Sequence, residues 1–134
     1  MTDTRLHPVT GKTLRRGVRP QTVTFGSLTR AVQTPGWYPD DDSDSIHSGA
    51  DLAASEQAFL ALKAEYAAHV RKVRRRLKLT QEEAGQLIGG GRRAFQKYEK
   101  GMMAPSQAAV GLIEILARRP EEIEVLRDLA RRAA

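Results

Sequence analysis

The 134-residue chain carries 22 Lys and Arg against 16 Asp and Glu, giving a formal net charge of +6, and it has no cysteine. Disulfides and thiolate metal sites are therefore excluded, and the lack of an apolar run as long as a membrane span or signal-peptide core predicts a cytoplasmic protein. The length suits one ordinary domain or two small ones, and the basic balance favours an anionic partner.

The N-terminal third predicts a small sheet. Residues 1–12 are polar and interrupted by proline and glycine, so they are expected to be loosely held. Residues 13–34 mix apolar side chains with Arg, Gln and Thr and alternate in part at the period of a strand. Two or three antiparallel strands are therefore predicted, with a turn or bulge at Gly26 and Ser27. So small a sheet must pack on a helix or on a partner chain.

The acidic run at residues 40–44 is open to several interpretations. A solvated linker and the charged start of a helix are the two that its composition favours. Calcium binding would need a glycine at the sixth and a glutamate at the twelfth position, which the run lacks. No nucleophile or acid–base pair stands out elsewhere, and His7, His47 and His69 lie far apart. We therefore expect no enzymatic activity, no metal and no other cofactor.

A long amphipathic helix is predicted over residues 51–79, where apolar side chains recur at spacings of three and four and no proline intervenes. Asp51 or Ser55 would cap its start. Its last turns, residues 74–78, are rich in Arg and Lys, which suit the negative end of a helix and a nearby phosphate alike. These cations are expected to make non-specific DNA contacts or to serve solubility alone.

Residues 78–101 predict two short helices joined by a glycine turn, which is the layout of a helix-turn-helix. Thr80 is the predicted N-cap of the first helix, and Glu83 stands at the distance that completes a capping box. Glycines 89–91 end that helix, because glycine tolerates positive φ and lets the chain turn sharply. A phosphate-binding glycine loop is the weaker alternative, since no strand precedes it and no Gly-Lys-Ser/Thr follows.

The second helix, residues 92–100, is predicted to bury Phe95 and Tyr98 in part and to expose a polar, basic face. Arg can donate two parallel hydrogen bonds to guanine, Gln can pair with adenine, and Lys can reach guanine or a phosphate. The predicted base-contacting residues are Arg93 and Lys97, which share one face, followed by Gln96. The predicted DNA-backbone contacts are Thr80, Gln81, Arg92, Tyr98, Lys100, Arg74 and Arg75. A solvated basic face without a ligand is the alternative.

Two further helices are predicted, one starting at Pro105 and Ser106 and the other at Pro120. The last carries an apolar stripe that a domain of five short helices cannot fully cover, so it is the predicted dimer interface. Its residues are Ile123, Val125, Leu126 and Leu129. The alternative is that the stripe only completes the core of one protomer. A two-fold dimer would imply a palindromic operator.

Residues 69–126 resemble the C-terminal Xre-type domain of MqsA-like (YgiT-type) antitoxins. The resemblance is carried by the pattern G-G-G-x-x-A-F-x-x-Y-E-x-G, followed by P-S and a leucine-rich helix. It implies a domain that binds operator DNA as a dimer, with the two base-reading positions at Arg93 and Lys97. The usual Asn at the first position is replaced by Arg93, which implies a different operator sequence. A hinge near residues 67–69 is also implied.

Such antitoxins commonly carry an N-terminal zinc domain built on two Cys-x-x-Cys pairs. Here the first pair falls on residues 7–10, His-Pro-Val-Thr, and the second falls near residues 37–42. Neither segment can hold zinc in the usual way, so the domain is expected to keep its shape without metal or to fold fully only against a toxin. One bound equivalent of zinc in the purified protein would contradict the prediction of a metal-free domain.

Together these features predict an α+β chain. A small antiparallel β-rich domain with a trailing helix is expected at residues 1–68, and a five-helix Xre-type helix-turn-helix domain at residues 69–134. The resemblance implies an antitoxin and repressor that binds palindromic operator DNA as a homodimer, while residues 1–68 capture a cognate, RNA-cleaving toxin. The alternatives are a stand-alone Xre-type regulator whose N-terminal segment senses a ligand or protein, and a protein-interaction module without salt-sensitive DNA binding.

Overall fold

The computed structural model describes residues 3–133, so the outermost residues of the two predicted domains lie outside it. The α+β class is confirmed: a three-stranded antiparallel sheet precedes five α-helices within the described residues. The chain forms two compact units. The first unit comprises residues 3–23 and 29–60, and the second comprises residues 24–28 and 61–133. In the part of the chain described, no helix combines the length and apolarity needed to cross a membrane.

The sheet has its strands in chain order, β1-β2-β3. They span Thr4–Leu6 (β1), Thr13–Phe25 (β2) and Leu28–Tyr38 (β3). Strand β1 lies in the segment expected to be loosely held, and that expectation is wrong. Its backbone pairs with β2, with Arg5 opposite Leu14, and the chain reversal between the two strands is closed by a 2.9 Å hydrogen bond from His7 N to Lys12 O. Backbone pairing thus orders a strand whose side chains are mostly exposed.

Gly26 and Ser27 form the two-residue turn between β2 and β3, as predicted. Gly26 has a φ of 59°, the conformation that the first position of a type II′ hairpin turn requires. A Cβ at Gly26 would also overlap the ring of Tyr66, which belongs to the same compact unit. Glycine is therefore needed at this corner both for its backbone conformation and for the close approach of the ring.

The buried centre of the first unit is small. Leu14 and Thr34 are fully buried, and Tyr38 is nearly so. The Tyr38 hydroxyl donates to the Thr34 carbonyl at 2.5 Å, which satisfies the polar end of a buried ring. The half-buried ring of Trp37 lies under two guanidinium groups, those of Arg5 and Arg16, at 5.5 and 5.7 Å from its centroid. The two cations thus cover part of the Trp37 ring, which the small core of the first unit leaves partly exposed.

Helix α1 spans Gly49–Arg76. Its N-cap is Ser48 rather than the predicted Asp51 or Ser55. Ser48 Oγ accepts from Asp51 N at 3.1 Å, and Asp51 Oδ2 accepts from Ser48 N at 2.9 Å, so the two residues form a reciprocal capping box. Asp51 also pairs with Arg16 at 2.5 and 2.9 Å. This hydrogen bond and the Ser48 amide hold the pKa of Asp51 well below its usual range.

Helix α1 ends before the predicted Leu79 because Lys78 adopts a φ of 60°. Lys78 N donates to Arg75 O and Leu79 N donates to Arg74 O, which is the pair of hydrogen bonds of a Schellman motif. The break expected near residues 67–69 is absent, since α1 is continuous from Gly49 to Arg76. Buried side chains on its inward face continue through that point and leave no reason for the helix to open.

The second unit continues with α2 (Gln81–Ile88), α3 (Ala94–Glu99), α4 (Gln107–Arg118), a 3-10 turn (Pro120–Glu122) and α5 (Ile123–Ala133). The predicted capping box of α2 is confirmed: Thr80 Oγ1 accepts from Glu83 N at 3.1 Å, and Glu83 Oε1 accepts from Thr80 N at 3.0 Å. Ser106 caps α4 as predicted. The apolar faces of the helices meet in one core, which includes Tyr66, Val70, Val73, Ala84, Ile88, Phe95, Tyr98, Ile113, Leu116 and Ile123.

Candidate nucleic-acid interface

Helix α3 presents a polar face on top of two buried aromatic rings. Phe95 and Tyr98 are almost fully buried and meet edge to face, with ring centroids 5.3 Å apart. Arg93, Gln96 and Lys97 are exposed. The helix begins at Ala94, two residues later than predicted, and Arg93 is its N-cap with a φ of −105°. All three predicted base-contacting side chains therefore lie on the solvent side of the unit.

A close approach of two backbones sets the angle between α2 and α3. Gly89, Gly90 and Gly91 have φ values of 131°, 93° and 95°, as the predicted glycine turn requires. Gly91 N donates to Gly85 O at 3.3 Å, and a Cβ at Gly85 would overlap the carbonyl oxygen of Gly91. The role of Gly85 was not predicted from the sequence, although a glycine inside a capped helix is the usual sign of such an approach.

Gly85→Ala is expected to lower the free energy of unfolding by roughly 1–3 kcal/mol, because the turn must move away from the added methyl group. Urea denaturation followed by circular dichroism measures the change. Gly111→Ala is the matched control, since Gly111 lies in α4 and a Cβ added there would meet no atom within 4 Å. It should be neutral or stabilising by up to about 1 kcal/mol. Equal effects of the two changes would contradict the close approach.

Arg74 and Glu99 form a mostly buried ion pair, with side chains 12% and 4% exposed. Arg74 Nε and Nη2 donate to the two carboxylate oxygens at 2.7 and 2.8 Å, and Nη1 donates to Leu79 O at 2.9 Å. The hydrogen bond to Glu99 raises the pKa of Arg74. Gln81 adds a hydrogen bond of 3.3 Å to Glu99. All three guanidinium nitrogens of Arg74 are therefore engaged within the protein, where they join the end of α1 to the end of α3.

The other predicted backbone contacts differ in how accessible they are. Tyr98 is 4% exposed, and its ring belongs to the core beneath α3. Arg92 is exposed and pairs at 2.8 Å with Glu82, which is also exposed. Such a surface pair is worth little and can exchange for a phosphate. Lys100, directly after α3, is exposed as well.

A cleft of about 510 Å³ lies beside the end of α3 and is called the basic cleft below. Alanine side chains of α1 form its floor. The charged residues that line it are Arg71, Lys72, Arg75, Lys100 and Glu99. Because Glu99 is already paired with Arg74, the cleft presents an excess of positive charge. Arg71 and Lys72 were not among the predicted site residues, although both share the spacing of three or four with Arg75 that places residues on one helix face.

The apolar stripe of α5 is divided between the core and the surface. Ile123 is 6% exposed and lies in the core of the second unit, and Leu126 packs against that core. Val125 and Leu129 are 53% and 55% exposed. Of the four residues predicted at a dimer interface, Ile123 is therefore occupied within its own chain. The open apolar surface of α5 is formed by Val125 and Leu129.

The chain is similar in sequence to a family of known proteins. Residues 39–127 match the family model described as the antitoxin component of bacterial toxin-antitoxin system, MqsA. A segment of 56 residues is 43% identical to Antitoxin MqsA of Escherichia coli (strain K12). That match covers 42% of this chain and 43% of the Escherichia coli protein, so it spans less than half of either. The residues that match the family model include α2, α3 and all of the residues predicted to contact DNA.

Proposed function

The chain belongs to the MqsA antitoxin family, and from this membership we propose that it is a cytoplasmic antitoxin that also represses transcription by binding operator DNA as a dimer. One observation carries the DNA-binding part: the exposed Arg93 and Lys97 stand on a short helix whose other face is locked into the core by Phe95 and Tyr98. A rigid platform with outward-facing Arg and Lys suits base recognition, because each base contact needs a fixed geometry.

In this proposal α3 enters the major groove of the duplex. Arg93, at the start of the helix, donates in parallel to O6 and N7 of a guanine, and Lys97, one turn later, donates to a neighbouring guanine or phosphate. Gln96 is placed to pair with an adenine at the edge of the site. The N-terminal residues of a recognition helix are the ones that reach base edges in this class of protein. Arg93 is therefore the main determinant of sequence preference.

Phosphate contacts hold the protein in register on either side of α3. We assign this role to polar side chains around the helix and to the basic cleft. The residues are Thr80, Gln81, Arg92, Lys100 and Arg75, with Arg71 and Lys72 added from the cleft. Arg74 is left out because, unlike the exposed Arg92, it is mostly buried and all its guanidinium nitrogens are already hydrogen-bonded.

Dimerisation is assigned to the open surface of α5. Val125 and Leu129 stand one turn apart on this helix, and their exposed side chains would be covered by the same residues of a second copy. A two-fold axis there would present two α3 helices to successive major grooves about one DNA turn apart. The operator should accordingly be a palindrome. Toxin capture is assigned to residues 1–68, and the expected toxin is a ribonuclease.

Replacing Arg71 and Lys72 together by alanine is expected to weaken binding to operator and to unrelated DNA by a similar factor. The slope of log K against log salt should become shallower by about one for each phosphate that the variant no longer neutralises. Fluorescence anisotropy titrations at several salt concentrations measure both quantities. Arg131→Ala serves as a single-charge control, because Arg131 lies on α5, away from the basic cleft, and makes only a 4.0 Å contact with Asp128 among the described residues. An unchanged salt slope in the double variant would remove the basic cleft from the interface.

The proposed function is tested with the reading frame adjacent to this gene. Its product, expressed alone, should arrest growth by cleaving RNA, and co-expression of this chain should restore growth and allow the two proteins to be purified together. In parallel, the purified chain should bind its own promoter far more tightly than unrelated DNA. Growth arrest that this chain does not relieve would contradict the antitoxin role. Equal affinity for both DNAs would contradict the repressor role.

A further inference from the structure

The N-terminal unit lacks the ligands of the zinc site that the family resemblance implies. The chain has no cysteine, and within residues 3–133 no group of three or more His, Asp or Glu side chains is placed to hold a metal ion. The two segments where the cysteine pairs would fall, residues 7–10 and 37–42, nevertheless belong to the same compact unit. We propose that the ammonium group of Lys12 fastens the first loop, residues 7–12, to the second, residues 37–43, without a metal ion.

The first loop is organised around the imidazole of His7. His7 Nδ1 accepts hydrogen bonds from Val9 N at 3.1 Å and from Thr10 N at 3.2 Å. His7 O accepts from Gly11 N at 2.9 Å, and His7 N donates to Lys12 O at 2.9 Å. The imidazole of His7 thus stabilises the turn by accepting hydrogen bonds from two backbone amides. These hydrogen bonds occupy its Nδ1 atom. This turn places the side chain of Lys12 next to Asp41 and Ser43 of the second loop.

The second loop is organised in the same manner around the carboxylate of Asp41. Asp41 Oδ1 accepts from Ser43 N at 2.9 Å and also from the Ser43 hydroxyl. Lys12 Nζ lies 2.5 Å from Asp41 Oδ2 and 2.9 Å from Ser43 Oγ. The hydrogen bonds from Lys12 and Ser43 hold the pKa of Asp41 well below its usual range, so the carboxylate is ionised at neutral pH. Lys12, Asp41 and Ser43 are called the Lys12 cluster below.

Two arginines of β2 lie along the second loop, and one of them, Arg19, binds its backbone. Arg19 donates to the carbonyl oxygen of Pro39 and, at 3.1 Å, to that of Asp41, while its guanidinium carbon lies 4.6 Å from the centroid of the Tyr38 ring. Arg15 lies 3.9 Å from Asp40. A single exposed ion pair stabilises little, and the Lys12 and Asp41 side chains are about half exposed. The fastening therefore depends on Lys12 together with Arg19, and the longer, more exposed contact of Arg15 adds little to it.

The Lys12 cluster holds the N-terminal unit together whether or not the chain binds DNA or a toxin. A zinc site would make the fold of the unit depend on metal and sensitive to chelators. An ammonium that bridges two loops makes it indifferent to chelators and sensitive to ionic strength instead, because salt screens exposed charges. The two arrangements therefore predict opposite responses in the same protein.

The test uses the full chain, produced in zinc-supplemented medium. We expect less than stoichiometric zinc by elemental analysis, and no change in melting temperature or in the exchange rate of the Ser43 amide when EDTA is added. Lys12→Met is expected to speed exchange of the Ser43 amide by roughly threefold to fivefold. Lys12→Arg, which keeps a cation, should restore most of the protection. The Glu83 amide, in the capping box of α2, should exchange at the same rate in all variants.

Arg15→Met is the matched control, because it removes one positive charge beside the same loop, where Arg15 makes a longer contact of 3.9 Å and both side chains are more exposed. It should leave the Ser43 amide nearly unchanged. Stoichiometric zinc whose removal unfolds the N-terminal unit would overturn the proposal. So would Ser43 exchange that is the same in Lys12→Met and Arg15→Met. If Lys12→Met does not fold, a folded Lys12→Arg supports the need for a cation at this position, and an unfolded one contradicts it.

Discussion

Replacing Arg93 with alanine is expected to weaken binding to the operator by about 1–3 kcal/mol while changing affinity for unrelated DNA little. The side chain is exposed at the start of α3, so its removal should leave the fold intact. The variant cannot form the pair of hydrogen bonds to one base, and it should therefore lose the preference for that base pair. Titrations of operator, single-base operator variants and unrelated DNA at one salt concentration measure the change.

Arg92→Ala separates this effect from a simple loss of charge. Arg92 is adjacent to Arg93 and equally cationic, but its guanidinium already pairs with Glu82 at 2.8 Å, and its proposed partner is a phosphate. The expected loss of affinity is smaller and similar for all DNA sequences. A uniform loss in Arg93→Ala as well would assign Arg93 to the DNA backbone. Unchanged operator binding in both Arg93→Ala and Lys97→Ala would exclude α3 as the recognition helix.

Glu99→Ala is expected to lower the free energy of unfolding by about 3–5 kcal/mol, because it leaves the guanidinium of Arg74 largely buried without a counter-ion. Arg74 is 12% exposed and Glu99 4%, and their two hydrogen bonds join the end of α1 to the end of α3. The orientation of α3 should suffer together with stability. Chemical denaturation followed by far-ultraviolet circular dichroism measures the first effect, and operator titration of the folded fraction measures the second.

Glu82→Ala is the matched control for this prediction. It removes the same side chain from another Arg–Glu pair of the unit, but there the partners are 73% and 49% exposed. Water replaces the missing carboxylate, so stability should change by less than about 1 kcal/mol. A similar cost for both substitutions would mean that the Arg74–Glu99 pair is not effectively buried in solution. Arg74→Met combined with Glu99→Leu should recover part of the stability, since no charge then remains unpaired.

The local features of the helix-turn-helix could be predicted because each depends on residues close in sequence. A hydroxyl and a carboxylate three residues apart define the N-terminus of α2, and Thr80 and Glu83 meet as expected. Consecutive glycines predict a sharp turn, and all three adopt positive φ. Apolar spacing predicts which side of α3 is buried. None of these inferences needed to know which helix packs against which.

Contacts between residues far apart in the sequence could not be predicted from such local patterns. His69 looked isolated in the sequence, yet its Nε2 lies 2.6 Å from Glu114, which also accepts from Ser27 at 2.8 Å. Burial alone would raise the pKa of Glu114, but these two hydrogen bonds lower it. Strand β1 was missed for a similar reason, since its order comes from pairing with β2 and not from its own composition.

The amino-acid sequence by itself determined where α2 and α4 begin, where the chain turns between α2 and α3, and which side chains of α3 stay outside the core. Capping, glycine conformations and helical periodicity act over a few residues, so they can be read without a fold. Tertiary structure alone decided which cations remain available to a partner. Arg74 is neutralised by a residue 25 positions away, whereas Arg71 and Lys72 are brought beside Lys100 to line one cleft. Charge pairing depends on distance in space, and the folded chain sets that distance.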